Sequence, residues 1–545
     1  QRSQSRSLRA SASFRFAVLA FFAVPIRGLI TQIFFGGNVM VRKIALLFLL
    51  IVVLAVPAFC QEAQPKKDET KPEFKPEFPK EVLSETKHTV TIDGKAIQYR
   101  ATAGNLLLKD ENGKPKANVF FIAYTKDGNR DNSGRPITFS FNGGPGSSSV
   151  WLHLGVLGPR RVKMADDGQA LPPPYKLEDN EYSLLDVTDL VFIDPVTTGY
   201  SRAVPGEDDT QYHGVRQDIE SVGAFIRLYT TRFKRWDSPK FLAGESYGTT
   251  RAAGLSNFLM ERYGMYLNGI VLVSSILNFQ TADFHPGNDL PYILFLPTYT
   301  ATAWYHKKLS PDLQSDLQSA LKQSEAFALT EYSNALMKGD QLSPQERSSI
   351  AKQVAKFTGL SEAYVERANL RIEDSRFNKE LLRDQRRTVG RLDSRFIGID
   401  VDAAGEQIEY DPSYSAILGS FTATLNDYLR SELKYESDLP YEILTGRVWP
   451  WDFGSVKNQY LNVAEDLRHA MTENPFLRIF VANGYYDLAT PYFATYYTFD
   501  HLGLDPSLKD HVTMGNYEAG HMMYIHRPSL VQFKSDVSRF LQSAD

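Results

Sequence analysis

The stretch FLAGESYGTTRAAGL, Phe241 to Leu255, decides how the rest of the chain is read. It opens as an apolar, strand-like run. It then places Ser246 between Gly244 and Gly248, with Glu245 directly before the serine. The small residues that follow read as a closely packed helix. A Gly-x-Ser-x-Gly turn between a strand and a helix holds a serine with its hydroxyl exposed, and small flanking residues let the neighbouring elements approach. The helix N-terminus beneath such a turn favours developing negative charge. The alternative is a purely structural Gly-Ser turn, and the surrounding pattern has to decide between them.

Outward from this turn, strand and helix alternate. DLVFIDP (Asp189 to Pro195) reads as a buried strand. Val215, Ile219, Val222 and Ile226 carry helical spacing, and NGIVLVSSI after the serine helix reads as another strand. This alternation predicts a parallel sheet covered on both faces. Upstream, HTVTIDGKAIQYRATAG alternates apolar and polar residues around Asp93-Gly94, a hairpin signal, and NVFFIAYT and PITFSFNGG follow as strands. The fold class expected is therefore α/β, with a mostly parallel central sheet and antiparallel N-terminal strands.

The rhythm stops between about 301 and 445, a stretch that reads as a mostly helical insertion. Ser310 with Pro311 is read as the start of a helix bearing Leu313, Leu317 and Leu321. Ser343, Pro344 and Glu346 spell a capping box before Ile350, Val354 and Phe357. Core rhythm returns with FLRIFVANG (Phe476 to Gly484) and HVTMGNYEAGH (His511 to His521). The expected organisation is a core from 85 to 300, the insertion from 301 to 445, and the second part of the core from 446 to 545.

The chain of 545 residues is 43% hydrophobic and has a net charge of −4, which does not suggest a nucleic-acid partner. Its one cysteine, Cys60, leaves no disulfide within the chain. Met40-Val-Arg-Lys43 followed by IALLFLLIVVLAVPAF and Ala58-Phe-Cys60 resembles an export signal spanning 40–60; a membrane anchor and a lipidated Cys60 are the rival readings. Residues 1–39 read as a mis-set start or an extension. The Pro-rich, charged segment 61–84 reads as a linker. An exported protein without disulfides suits a bacterial envelope, hence a periplasmic or extracellular location, with no membrane association once the signal is cleaved.

A nucleophilic serine needs a base and an orienting carboxylate, in the chain order Ser, acid, His for this kind of sheet. Of the ten histidines, His469, His501, His511, His521 and His526 lie beyond the insertion. His521, in EAGHMMY after the last strand, is the favoured base. Asp487, in NGYYDLATP at a strand's carboxyl end, is the favoured acid. FNGGPGSSS (Phe141 to Ser149) is a Gly-rich turn after a strand, able to present backbone N–H groups to an oxyanion. It lacks the Gly-Lys-Ser/Thr ending of a phosphate loop.

Together NGGPGSSS, GESYG, NGYYDLATP and GHMMY, with GPRRV and FIDPVTTGYS, resemble the serine carboxypeptidases, the S10 peptidases of the α/β-hydrolase fold, over roughly residues 85–540. The resemblance implies Ser246 as nucleophile, Asp487 as orienting acid and His521 as base. It also implies Gly144 and Tyr247 as oxyanion donors, Asn142 and Glu245 as binders of a substrate's C-terminal carboxylate, and the insertion as a cap. The implied activity is hydrolysis of C-terminal peptide bonds through an acyl-enzyme, on peptide or protein substrates and without cofactor or metal. An esterase or acyltransferase on the same triad is the alternative, and a non-catalytic binding protein a third. Two positions depart from the family. Ser147 stands where cysteine is usual. Val156 stands where a second glutamate is common, so Glu245 is expected to lack the partner that would raise its pKa. Asp400 and Asp402, in GIDVDAAGE, read as part of a solvated loop, since ligand spacing for calcium is missing. Oligomeric state is not assigned.

Overall fold

Alternating strands at the N-terminus and short apolar runs bounded by turns assemble into a ten-stranded sheet. A computed structural model describes residues 78–128, 134–454 and 458–544. The expected signal at 40–60 and most of the segment 61–84 lie outside the described residues. The main strands are β1 (Leu83–Ile92), β2 (Lys95–Lys109), β3 (Pro115–Lys126), β4 (Ile137–Phe141), β5 (Asp189–Ile193), β6 (Lys240–Ser246), β7 (Gly269–Ser275), β8 (Arg478–Gly484) and β9 (Val512–Tyr517). Their order is β1-β2-β3-β5-β4-β6-β7-β8-β9, and the two-residue strand Arg202–Ala203 pairs with β3. Pairings from β1 to β5 are antiparallel, and every pairing from β5 through β9 is parallel. The Asp93-Gly94 hairpin forms as expected, with both residues at positive φ (48° and 73°). Residues 81–84, read as the end of a linker, are instead tied to the sheet: Val82 N–H donates to Asn105 Oδ1 at 3.0 Å and Leu107 N–H to Glu81 Oε1 at 2.9 Å.

The central strands are buried on both faces, which is why their sequences are continuous rather than alternating in character. Alternate residues still face opposite layers. Phe139, Val191, Leu242, Leu272 and Val481 pack with one set of helices: α1 (Val215–Arg232), α2 (Tyr247–Tyr263) and the helix Ala464–Glu473. Leu190, Phe192, Ala243, Val271 and Phe480 pack on the opposite face with Phe533, Val537 and Phe540 of the C-terminal helix Arg527–Ala544. Each fully buried Leu or Phe contributes about 1.5–3 kcal/mol. The small residues of the opening stretch now have a packing role. A Cβ on Gly254 would sit 2.3 Å from Ile219 Cδ1, so glycine at 254 lets the Ile219 side chain of α1 pack directly on α2.

Between β7 and β8 the chain forms α3 (Leu290–Tyr305), α4 (Leu317–Phe327), α5 (Pro344–Thr358) and α6 (Pro412–Ser431), among shorter turns. Tyr292, Phe295, Tyr299, Phe327, Val354 and Phe377 build a separate apolar cluster there. By contrast, α6 sends Ile417, Phe421, Leu425 and Tyr428 into the core of the main sheet. The capping box at Ser343 and Glu346 forms. The reading of one helix from Ser310 is corrected: a short turn at Pro311–Gln314 ends, Asp316 caps α4 by accepting from Ser319 N–H at 2.8 Å, and Ser310 makes no side-chain cap. Asp400 is not part of a solvated surface either. It is buried against the buried Lys379 Nζ at 2.5 Å, and Glu409 lies on the same ammonium at 2.9 Å.

Candidate active site

The carboxyl ends of β4, β6, β7, β8 and β9 meet at one edge, and the motif residues lie there. Ser246 ends β6 and caps α2 with φ 59° and ψ −130°, a conformation L residues avoid, costing roughly 1–3 kcal/mol. It is the half-buried residue at the end of an otherwise buried strand. Gly143 makes the turn possible from the facing side: a Cβ there would lie 2.3 Å from Tyr247 N and 2.8 Å from Ser246 Cβ. The backbone of Gly143-Gly144 therefore runs against the start of α2, where N–H groups lack helical partners. Its loop is pinned from behind. Ser149 N–H and Oγ–H both donate to Asp194 Oδ1 at 2.9 Å, and Thr445 N–H donates to the Gly146 carbonyl at 2.9 Å. Ser147 fills its departure from the family by accepting from Trp151 Nε1 at 2.9 Å.

His521 Nδ1 lies 2.7 Å from Asp487 Oδ2. Asp487 is itself fixed: Oδ1 accepts from the N–H groups of Ala489 (2.8 Å) and Thr490 (3.0 Å), and Oδ2 from Thr490 Oγ1 (2.7 Å). Burial acts to lower the His521 pKa, but the Asp487 carboxylate and Glu245 outweigh it, so the imidazole is held above its ordinary value. The other late histidines lie elsewhere; His526, for example, bonds Ser529 at the start of the last helix.

Glu245 is 3% exposed. Its Oε1 accepts from Asn142 Nδ2 at 2.9 Å and its Oε2 from the Tyr524 hydroxyl at 2.5 Å. Burial pushes its pKa up to about 7, against the pull of His521 and of the Tyr524 bond. Two expectations are thereby corrected. Glu245 does not lack a partner, since the Tyr524 phenol bonds it, although that bond lowers its pKa; the pKa is raised without a second glutamate by burial first, with the Asp487 charge adding to it. Val156 is buried in the turn His153–Leu157. Asn142 is steadied in turn, its carbonyl accepting from Arg251 Nη1 at 2.8 Å while Arg251 pairs with buried Asp218.

Sequence reasoning missed the segment Arg391–Arg395. It wedges between the two loops that carry Asp487 and His521. Leu488 N–H donates to the Arg391 carbonyl at 3.0 Å and Ser394 N–H to the Tyr486 carbonyl at 2.9 Å. On the other side, His521 N–H donates to the Leu392 carbonyl at 2.6 Å and Gly520 N–H to Asp393 Oδ2 at 3.0 Å. Arg395 fixes Asp393 through an ion pair at 2.6 Å. The contacts are mostly backbone, so no side-chain pattern in the sequence announces them. Tyr524 was also missed, although it stands three residues after His521.

A family model described as serine carboxypeptidase matches residues 96–529. The lysosomal protective protein of Mus musculus is 27% identical over 195 residues, 35% of this chain and 35% of that protein. The pheromone-processing carboxypeptidase KEX1 of Saccharomyces cerevisiae is 33% identical over 156 residues, 27% of this chain and 20% of its own length. Such matches span between 18% and 40% of the curated relatives' own lengths. The solved structure of Kex1, a prohormone-processing carboxypeptidase from Saccharomyces cerevisiae, superposes with a TM-score of 0.51 at 18% identity, covering 82% of this chain and 91% of that one, which bears on the fold. With the doubly covered sheet and the residues gathered at its edge, the match over most of the chain makes this protein a member of the serine carboxypeptidase family.

Proposed function

We propose that the protein is a serine-type carboxypeptidase acting on peptides through an acyl-enzyme. The carrying observation is Glu245: a buried carboxyl with a pKa of about 7, next to Ser246 in sequence and bonded to Asn142. When protonated it can donate to the terminal carboxylate of a peptide, which Asn142 also reaches. Ser246 Oγ attacks the last peptide carbonyl while His521 takes its proton, and Asp487 holds the imidazole tautomer and stabilises its charge. The N–H groups of Gly144 and Tyr247 receive the oxyanion, preorganised donors of this kind each giving about 3–4 kcal/mol. His521 then protonates the departing amino acid, and water releases the acyl group.

The test compares a blocked dipeptide acid, its C-terminal amide and a p-nitrophenyl ester. The free acid should be cleaved with kcat/KM at least about 100-fold above the amide, the scale of losing a charged hydrogen-bonded contact. Equal rates would remove the exopeptidase reading in favour of an esterase or acyltransferase. Ser246→Ala should abolish turnover of all three substrates. Among the described residues no helix is long and apolar enough to cross a membrane. Export through the segment 40–60 is supported by its basic start and apolar run, and N-terminal sequencing of the secreted protein would test it.

A further inference from the structure

The Tyr524 hydroxyl and the Glu245 carboxyl form a buried pair at 2.5 Å. The ring is buried and closely packed. A Cβ on Gly155 would lie 2.3 Å from Tyr524 Cε2, so the ring is pressed on that glycine, and Phe533 meets it edge-on at 6.4 Å. Tyr524 sits in the turn Met523–Ile525, on the loop that carries His521. One loop thus delivers both the base and the partner of Glu245. Burial and the adjacent carboxyl raise the phenol pKa well above its usual range, so it keeps its proton at working pH.

That proton matters. A protonated carboxyl has a single O–H. Were its partner another carboxyl, the two would share protons between them. A phenol brings its own. We propose that Tyr524 is the positioning residue of the carboxylate reader: it donates to Glu245 Oε2, fixes the carboxyl plane together with Asn142, and leaves the carboxyl's own proton for a peptide's C-terminal carboxylate. This rests on the carboxypeptidase reading above. The titratable groups facing Glu245 are His521, Asp487 and Tyr524, with Arg391 acting on His521 from beyond it.

Tyr524→Phe removes only the hydroxyl and keeps the ring. For this variant the ratio of free-acid peptide to ester kcat/KM should fall about tenfold, chiefly through the peptide KM, the scale of one lost charge-assisted bond. The phenol stabilises the ionised carboxyl, so its loss should also move the pH at which peptide KM rises upward by about one unit. The same titration is read without substrate, from the carboxyl infrared band that Glu245→Gln deletes. The double variant Tyr524→Phe/Glu245→Gln should be no worse on peptide than Glu245→Gln alone. An unmoved infrared titration, or equal losses on peptide and ester, would overturn the assignment. If wild-type enzyme cleaves amide and acid alike, the carboxypeptidase reading falls, while the infrared arm still decides whether Tyr524 governs Glu245.

Discussion

Glu245 is placed where burial and charge conflict, and the conflict has a measurable sign. Its folded pKa of about 7 stands above the ordinary 4.5, so between those values the folded state holds a proton that the unfolded chain has released. Stability therefore falls as pH rises through this window, by about 3 kcal/mol in total at 1.36 kcal/mol per unit. Glu245→Gln, which cannot ionise, should gain on the wild type by roughly that amount between pH 4 and pH 8 in urea titrations. A constant gap between the two proteins would contradict the raised pKa. The same ionisation should make peptide KM climb above about pH 7 while ester KM stays level, since an ionised Glu245 repels a carboxylate. At this scale the sequence was informative where chemistry repeats in short motifs. Ser246, Asp487 and His521 each sit in a turn whose glycines or strand end gave them away. Tyr524 gave no such sign, because its role depends on a ring packed against Gly155, far away in the chain.

Loops and turns set the geometry that these residues use. Gly143 is the tightest point of the Gly-rich loop after β4. A methyl group there would collide with the Tyr247 nitrogen, a backbone atom that cannot yield. Gly143→Ala should lower kcat about 100-fold or more on ester and peptide alike, with a circular dichroism spectrum unchanged. The wedge at Arg391–Arg395 makes a second case. Asp393→Asn weakens both the Arg395 ion pair and the acceptor for Gly520 N–H. It should lower kcat on ester and peptide together by about tenfold, because a misplaced imidazole slows every substrate. Loss confined to the peptide would argue against a role in holding the base. Elements with strong periodicity, such as α1 and the Asp93-Gly94 hairpin, were legible beforehand. The break before α4 was not, because Leu313, Leu317 and Leu321 keep helical spacing across it while Asp316 starts a separate helix.

Across the whole molecule, the helical stretch between β7 and β8 is bound to the sheet in two ways. Its α6 contributes Phe421 and Leu425 to the main core, and its wedge bonds the loops of Asp487 and His521. Thermal unfolding should therefore show one cooperative transition for residues 78–544, with ester activity lost in step with near-ultraviolet dichroism. Activity surviving on a partly unfolded chain, or a separate early transition from the helices, would show the stretch to be an independent body. The alternation of strand and helix made the sheet readable, and the loss of alternation marked the helical stretch. The integration of that stretch could not be read, because a buried helix face looks the same whichever core it enters. The wedge also limits how such an enzyme can be re-engineered. Replacing the helical stretch with that of a relative would also replace the carbonyl of residue 392 that accepts from His521 N–H. A replacement that spares residues 391–395 is the one that should leave the His521 loop in place and keep its speed.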